Sequence, residues 1–334
     1  MSSAEKPVQA SNQEDQILKI PLVVILGPTA VGKTEIAIQL AERFTGEIVS
    51  ADSRLFYRGM DIGTAKPTMR ERSLVPHHLI DMADPDKIWG LALFQLEANK
   101  AIHRIYENHH LPFLVGGTGQ YVRSIIEGWK IPAVEPNPRL REALNHWSNR
   151  VGPIALHSKL AALDPQAANS IDPTNVRRTV RALEVILTTG KRFSDQKSSG
   201  YQLYDRLLVG LTLSRGELYH RIDERITQMI NSGLIDEVRR LLDLGYSPDL
   251  PTLSAIGYGE IVAYIQGKNS LEEAILSMKR RTRTFVRRQA NWFKENDPDI
   301  HWFQMSEGPV GEIEKLIRNW LTDIKINRNL LLTS

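Results

Sequence analysis

Eight residues, Gly27-Pro28-Thr29-Ala30-Val31-Gly32-Lys33-Thr34, constrain this chain more than any others. They match G-x-x-x-x-G-K-[ST], and they stand where that pattern has physical meaning. Ile20–Leu26 before them is apolar and rich in β-branched residues, as a strand buried on both faces requires. After them, TEIAIQLAERF repeats its apolar residues at helical spacing. Such a turn points backbone N–H groups at a phosphate from a helix N-terminus. Lys33 adds a full charge, and the Thr34 hydroxyl can bind Mg²⁺. The pattern asks for a di- or triphosphate and is silent about what carries it.

The alternation continues with EIVSAD as a short strand, Leu91–Asn108 as a helix and LPFLVGG as a strand with a glycine-rich end. This order predicts an α/β fold, a P-loop NTPase-like parallel sheet flanked by helices. Ligands on such sheets sit at the carboxyl ends of the strands, where GPTAVGKT, Asp52 and GGTGQY all fall. Pro132, Pro136 and Pro138 break the pattern, and residues 135–203 read as an inserted all-helical domain. The expected organisation is a disordered tail over 1–19, a first core part over 20–134, the insertion, and a second core part over 204–334. That last part begins with a strand at Asp205–Leu213 and one long amphipathic helix to about Leu244. It then becomes helical and basic, with a short strand at Ile300–Phe303.

Composition narrows the chemistry. Cysteine is absent, which excludes a disulfide scaffold, a thiolate nucleophile and cysteine-based zinc sites. No apolar run is long enough to span a bilayer, and the polar first residues carry no leader pattern. A cytoplasmic protein with no membrane partner and no obligate protein partner is expected. The net charge of +3 matters less than its placement. Ala274–Lys294 holds no acidic residue but contains Lys279, Arg280, Arg281, Arg283, Arg287, Arg288 and Lys294. Ile275, Met278, Phe285 and Trp292 recur at spacings that predict one inward apolar face, leaving the arginines to line the others. A surface of one sign suggests a polyanion, and without any duplex-DNA reading motif RNA is favoured. Arg177, Arg178 and Arg181 form a second basic group in the insertion.

Asp52, at a strand end beside the phosphate loop, is open to three readings: a metal-side acid, a base toward an acceptor, or a turn residue. Asp81 in HHLIDMADP is an equal candidate for a Mg²⁺-side acid, whereas His77 and His78 read as structural. Thr118 in GGTGQY places a hydroxyl near a phosphate, or merely completes a tight turn. Arg215 and Arg221 in SRGELYHRI could as well be exposed helix residues.

Together these features resemble the tRNA dimethylallyltransferases (tRNA isopentenyltransferases) from about Leu22 onward. The most telling run is Asp52–Pro67, DSRLFYRGMDIGTAKP. GPTAVGKT, HHLIDMADP, LVGGTGQY, RALEV, IGYGE and RRQANWF support it in the family's order. The resemblance implies that N6 of the adenosine 3′ of the anticodon attacks C1 of dimethylallyl diphosphate and diphosphate leaves. It makes Asp52 the acceptor-side base, Thr118 a ligand of the diphosphate, and Lys33, Mg²⁺ on Thr34, Arg215 and Arg221 the groups that neutralise the leaving group. It makes the insertion a tRNA-binding domain and assigns tRNA anticodon stem-loop contacts to Asp52, Ser53, Arg54, Leu55, Thr118, Arg141, Arg177, Arg178 and Arg181. Ser254, Ala255, Ile256, Gly257, Tyr258 and Gly259 follow, then Arg287, Arg288, Gln289, Trp292 and Lys294. The chain departs from the family's pattern at Gln120, Phe285 and Arg287. The competing readings are a P-loop small-molecule or nucleoside kinase, an adenylate prenyltransferase, and an RNA-binding protein with a vestigial P-loop. The first leaves Asp52–Pro67 and the basic tail idle, and a mononucleotide acceptor needs neither the insertion nor the tail.

Overall fold

The computed structural model describes residues 19–131, 137–196 and 202–332, with side chains omitted for Gln196 and 326–332. The predicted tail up to residue 18 lies outside them, as do Pro132, Pro136 and the expected boundary between 134 and 135.

The core begins with β1 (Ile20–Leu26), α1 (Lys33–Arg43), β2 (Gly46–Ser50), α2 (Met69–Leu74) and β3 (His77–His78). It continues through α3 (Leu91–Glu107), β4 (Leu111–Gly116) and α4 (Gly119–Ile126). All seven residues of β1 are buried, because the strand is central and covered on both faces. Four helices follow: α5 (Pro138–Val151), α6 (Pro153–Leu163), α7 (Pro165–Ser170) and α8 (Val176–Thr189). They pack on each other around Leu144, Leu156, Leu160, Val180 and Leu183, a hydrophobic cluster separate from that of the sheet. The chain returns through β5 (Tyr204–Thr212), α9 (Arg215–Asn231), α10 (Leu234–Asp243), α11 (Tyr258–Ile265), α12 (Leu271–Gln289), β6 (Ile300–Gln304) and α13 (Val310–Leu332).

The sheet runs β3-β2-β4-β1-β5-β6, parallel throughout. Leu26 pairs with Gly116 on one side and Gly210 on the other, so β1 and β4 end level and β5 runs two residues further. The loops that follow them therefore converge. The expected long helix to Leu244 is in fact two, α9 and α10, because Gly233 takes a left-handed φ of 97° between them. The apolar face predicted for the basic helix also needs correction. Met278 is buried, but Phe285 is 41% exposed and Trp292 lies beyond the helix end. Val286 and Gln289 turn inward instead, Val286 into the sheet-centred apolar core and Gln289 onto the polar loops after β1 and β4.

Candidate active site

The phosphate loop closes on itself as its sequence demands. Gly32 caps α1 with φ 107°, a conformation that side-chain-bearing residues rarely adopt. The Lys33 ammonium donates to the carbonyls of Gly27 (3.1 Å) and Pro28 (2.7 Å). Burial pushes its pKa down to about 8, with Asp52 opposing that shift and Arg225 adding to it. The Thr34 hydroxyl stands in the first turn of α1, half-buried.

Asp52 follows β2 at the level of the loop after β4. Its carboxylate accepts the N–H of Arg54 at 3.0 Å, which fixes the turn. The N–H of Ser53 reaches the Thr118 hydroxyl at 3.5 Å, so the Asp52 and Thr118 loops meet as the sequence anticipates. Of the two expected arginines, Arg221 reaches the phosphate loop, donating to the Val31 carbonyl at 3.2 Å. Arg215 does not join it. It is exposed in the first turn of α9, and a six-residue step is about 1.7 helical turns, which puts it on another face. Arg225, one turn beyond Arg221, takes the second place. Burial holds its pKa below the usual arginine range while Asp52 opposes, and its guanidinium also donates to the Thr64 carbonyl at 3.3 Å. The i, i+4 spacing from Arg221 was the available signal, and sequence reasoning passed over it.

Asp81, the other candidate acid, is held in ion pairs. Its two oxygens accept from Lys66 (2.6 Å) and Arg72 (2.8 Å), and these hydrogen bonds outweigh its burial to hold its pKa below the usual range. Lys66, itself buried, also binds Asp61 at 2.6 Å and the Tyr57 carbonyl at 2.8 Å. From α10, the buried Glu237 accepts three consecutive backbone N–H groups, those of Asp61, Ile62 and Gly63 at 2.8–3.1 Å. Lys66 and Glu237 thus fold the run after Asp52 into a rigid loop, and neither stood out in the sequence. His77 binds the Val75 carbonyl while His78 and His110 share Glu47.

The residues assigned to RNA fall into two sets. Ser53, Arg54 and Leu55 line the mouth beside Asp52, with Arg54 exposed. Arg177 and Arg178 are exposed at the start of α8, as are Arg287, Arg288 and Lys294 at the end of the basic segment. Ser254 is exposed and Ile256 and Gly259 are partly so, but Ala255, Gly257 and Tyr258 are buried. The Tyr258 hydroxyl donates to Glu237 at 2.6 Å, so its side chain braces the loop rather than facing a partner. Arg141 and Arg181 both bind the fully buried Glu184, at 2.6–2.9 Å. Gln289 and Trp292 turn toward the phosphate loop and α4. The basic face is less pure than its sequence suggests, because three of its seven cations have acidic partners on other elements. Arg281 pairs with Glu260, and Arg283 and Lys279 pair with Asp223.

A magnesium ion fits this donor set only with help from its ligand. Among the described residues no three His, Asp or Glu side chains form a metal cluster. Thr34 supplies one hydroxyl, and Mg²⁺ commonly completes its shell with substrate phosphate oxygens and water. No helix of the described residues is long and apolar enough to cross a membrane.

Comparison with known proteins places the chain among described relatives. Residues 55–296 match the family model described as IPP transferase. A tRNA dimethylallyltransferase of Roseiflexus sp. (strain RS-1) is 52% identical over 275 residues, 82% of this chain and 90% of that protein. One of Thermomicrobium roseum is 49% identical over 86% of this chain and 87% of its own length. The crystal structure of the full-length tRNA isopentenylpyrophosphate transferase of Bacillus halodurans superposes with a TM-score of 0.70 at 42% identity, covering 93% of this chain and all of that one. A eukaryotic dimethylallyltransferase acting on tRNA gives a TM-score of 0.77 at 26% identity, covering 91% of this chain and 80% of its own.

Proposed function

The chain belongs to the IPP transferase family, and from that premise we propose that it binds dimethylallyl diphosphate and passes the five-carbon group to N6 of the adenosine 3′ of a tRNA anticodon. It is a tRNA dimethylallyltransferase, as its relatives are named. The observation that carries the finer reading is the convergence at the strand ends of the phosphate loop with Lys33, the Asp52 turn and the Thr118 loop, with Lys33 and Arg225 both near the Asp52 charge.

The chemistry follows from that arrangement. The C1–O bond of the donor breaks with its electron pair going to diphosphate, and the N6 lone pair forms the new bond to C1. Charge grows on the leaving oxygens, so the fixed cations Lys33, Arg221 and Arg225 stabilise the transition state more than the ground state. Thr34 would hold a Mg²⁺ ion, which would supply further positive charge beside the leaving group. The Thr118 hydroxyl donates to the diphosphate. Asp52 accepts a hydrogen bond from the N6 amine and takes its proton as positive charge develops on nitrogen. The adenosine is stacked in its loop and must be turned out to reach Asp52. Arg54, Arg177, Arg178, Arg287, Arg288 and Lys294 hold the anticodon stem-loop, chiefly through phosphates. This work is set in the cytoplasm, among tRNA.

The direct test is mass spectrometry of nucleosides from unmodified tRNA incubated with the protein, Mg²⁺ and dimethylallyl diphosphate. Adenosine heavier by one dimethylallyl group is the expected product. Prenylated AMP with no change in tRNA would identify an adenylate prenyltransferase instead. ATP consumption with neither product would identify a kinase.

A further inference from the structure

The last turn of α12 faces two ways. Arg287 and Arg288 are exposed, while the next residue, Gln289, is only 8% exposed. Its amide oxygen accepts the N–H of Thr29 at 2.9 Å, inside the phosphate loop. Its amide nitrogen donates to the Gly117 carbonyl at 2.9 Å, next to Thr118. One planar group thereby spans the two loops that frame the diphosphate, using an acceptor on one and a donor on the other.

The residues that follow press on the second loop. A Cβ placed on Gly119 would stand 2.1 Å from the Trp292 ring, so only glycine admits this contact. The Trp292 carbonyl accepts two bonds from Arg123 of α4, at 3.1 and 2.7 Å. The same guanidinium lies 5.5 Å from the centre of the Phe293 ring. Residues 289–293 are therefore tied to the phosphate loop, to the Thr118 loop and to α4, while the neighbouring arginines face outward. A group that joins two loops fixes their separation, and sub-ångström placement of reacting and stabilising groups governs rate.

We propose that Gln289 is a positioning residue that couples RNA bound at Arg287 and Arg288 to the geometry of the diphosphate loops, so that each ligand raises the other's affinity. This rests on the reading that the pocket takes a diphosphate and the arginines take tRNA. Coupling of this kind is reciprocal, and typical factors are roughly 5–150-fold.

The test is calorimetric titration of Mg²⁺-pyrophosphate into the full chain, with and without unmodified tRNA, alongside the prenylation assay. In the wild type, tRNA should tighten pyrophosphate binding by at least about fivefold. In Gln289→Leu that enhancement should fall below about twofold, while affinity for tRNA alone stays within about twofold of wild type. Gln289→Glu tests the same idea in a near-isosteric side chain, should the leucine variant fail to fold. It keeps the acceptor for Thr29, loses the donor to Gly117, and brings a carboxylate near Lys33. Its pyrophosphate affinity should fall further than that of Gln289→Leu, and its KM for the prenyl donor should rise more than its kcat falls. An undiminished enhancement in both variants would overturn the proposal, as would no enhancement in a wild-type protein that prenylates tRNA. A wild type that neither binds pyrophosphate nor prenylates tRNA would overturn the functional reading itself, and this proposal with it.

Discussion

At the scale of single residues, the proposed function separates groups that would act on the leaving diphosphate from the one that would act on the acceptor. Asp52→Ala should lower kcat by about 10²–10⁴, the range for a positioned acid–base group. Binding assays should find tRNA affinity within about threefold of wild type, since exposed cations elsewhere carry it. Large loss of affinity with normal turnover would remove Asp52 from the base role. Arg225→Ala should cost about 10²–10³ in kcat, as removal of a preorganised electrostatic partner does. Arg215→Ala, on another face of α9, should change it by no more than a few fold. Lys33 predicts a pH signature. Its pKa of about 8 in the free protein lies below the ordinary 10.5, and a bound polyanion favours the protonated form and raises it again. Binding therefore takes up a proton once the pH passes about 8. The donor's apparent Kd should rise above that point, by up to about tenfold per pH unit. Lys33→Arg stays charged throughout, so a Kd–pH profile with the same bend in that variant would exclude Lys33 as its source. Lys33, Thr118 and Asp52 were legible in the sequence because each adjoins a motif at a strand end. Arg225, Glu237 and Gln289 were not, because the loop backbone groups they bind lie 161 to 260 residues away along the chain.

At the scale of elements, α8 shows how one helix carries two kinds of arginine. Arg177 and Arg178 point outward, whereas Arg181 and Arg141 of α5 close on Glu184, which is fully buried. Burial alone would raise the pKa of that carboxyl, but hydrogen bonds from Arg141 and Arg181 outweigh it and hold it below the ordinary 4.5. A depressed carboxylate contributes its full stability above its unfolded pKa and loses it as the pH falls through the folded value. Glu184→Gln should destabilise the insertion by about 3 kcal/mol, toward the lower end for a broken buried pair because both arginines keep some access to water. It should also weaken the insertion's dependence on acid below about pH 4.5, which circular dichroism melts across pH would read. Replacing Arg177 and Arg178 with Ala should instead reduce the log–log salt slope of tRNA binding by roughly 0.7–0.9 per lost contact, and leave the melt unchanged. If Arg141→Ala flattened the slope as much, Glu184 would not be its principal partner. The arginines looked alike in sequence; the contact of α5 with α8 sets Arg141 apart, and the i, i+3 pair within α8 sets Arg181 apart.

At the scale of the molecule, the parallel sheet was readable because buried strands and glycine-rich turns are local patterns. Two features were not legible: the break at Gly233, a local one hidden in continuous amphipathic spacing, and the turning of Gln289 toward the phosphate loop, a long-range one. The structure also has two hydrophobic cores, one around the sheet and one within α5–α8, whose centre includes Leu144, Leu156, Leu160 and Leu183. A unit of about 60 residues buries a smaller share of its surface than a large domain and is correspondingly marginal. Unfolding should therefore depart from two-state behaviour, with the insertion melting first and the calorimetric enthalpy exceeding the van't Hoff value. Ligands identify the transitions by mass action, since a partner at 100 times its Kd adds about 2.7 kcal/mol to the unit that binds it. Pyrophosphate with Mg²⁺ should raise the upper transition, because Lys33, Arg221 and Arg225 all belong to the sheet-centred core. Unmodified tRNA, which under the proposed function contacts both units, should raise the lower one as well and draw the two together. A single transition with equal enthalpies, displaced as a whole by pyrophosphate, would show that the two cores unfold as one.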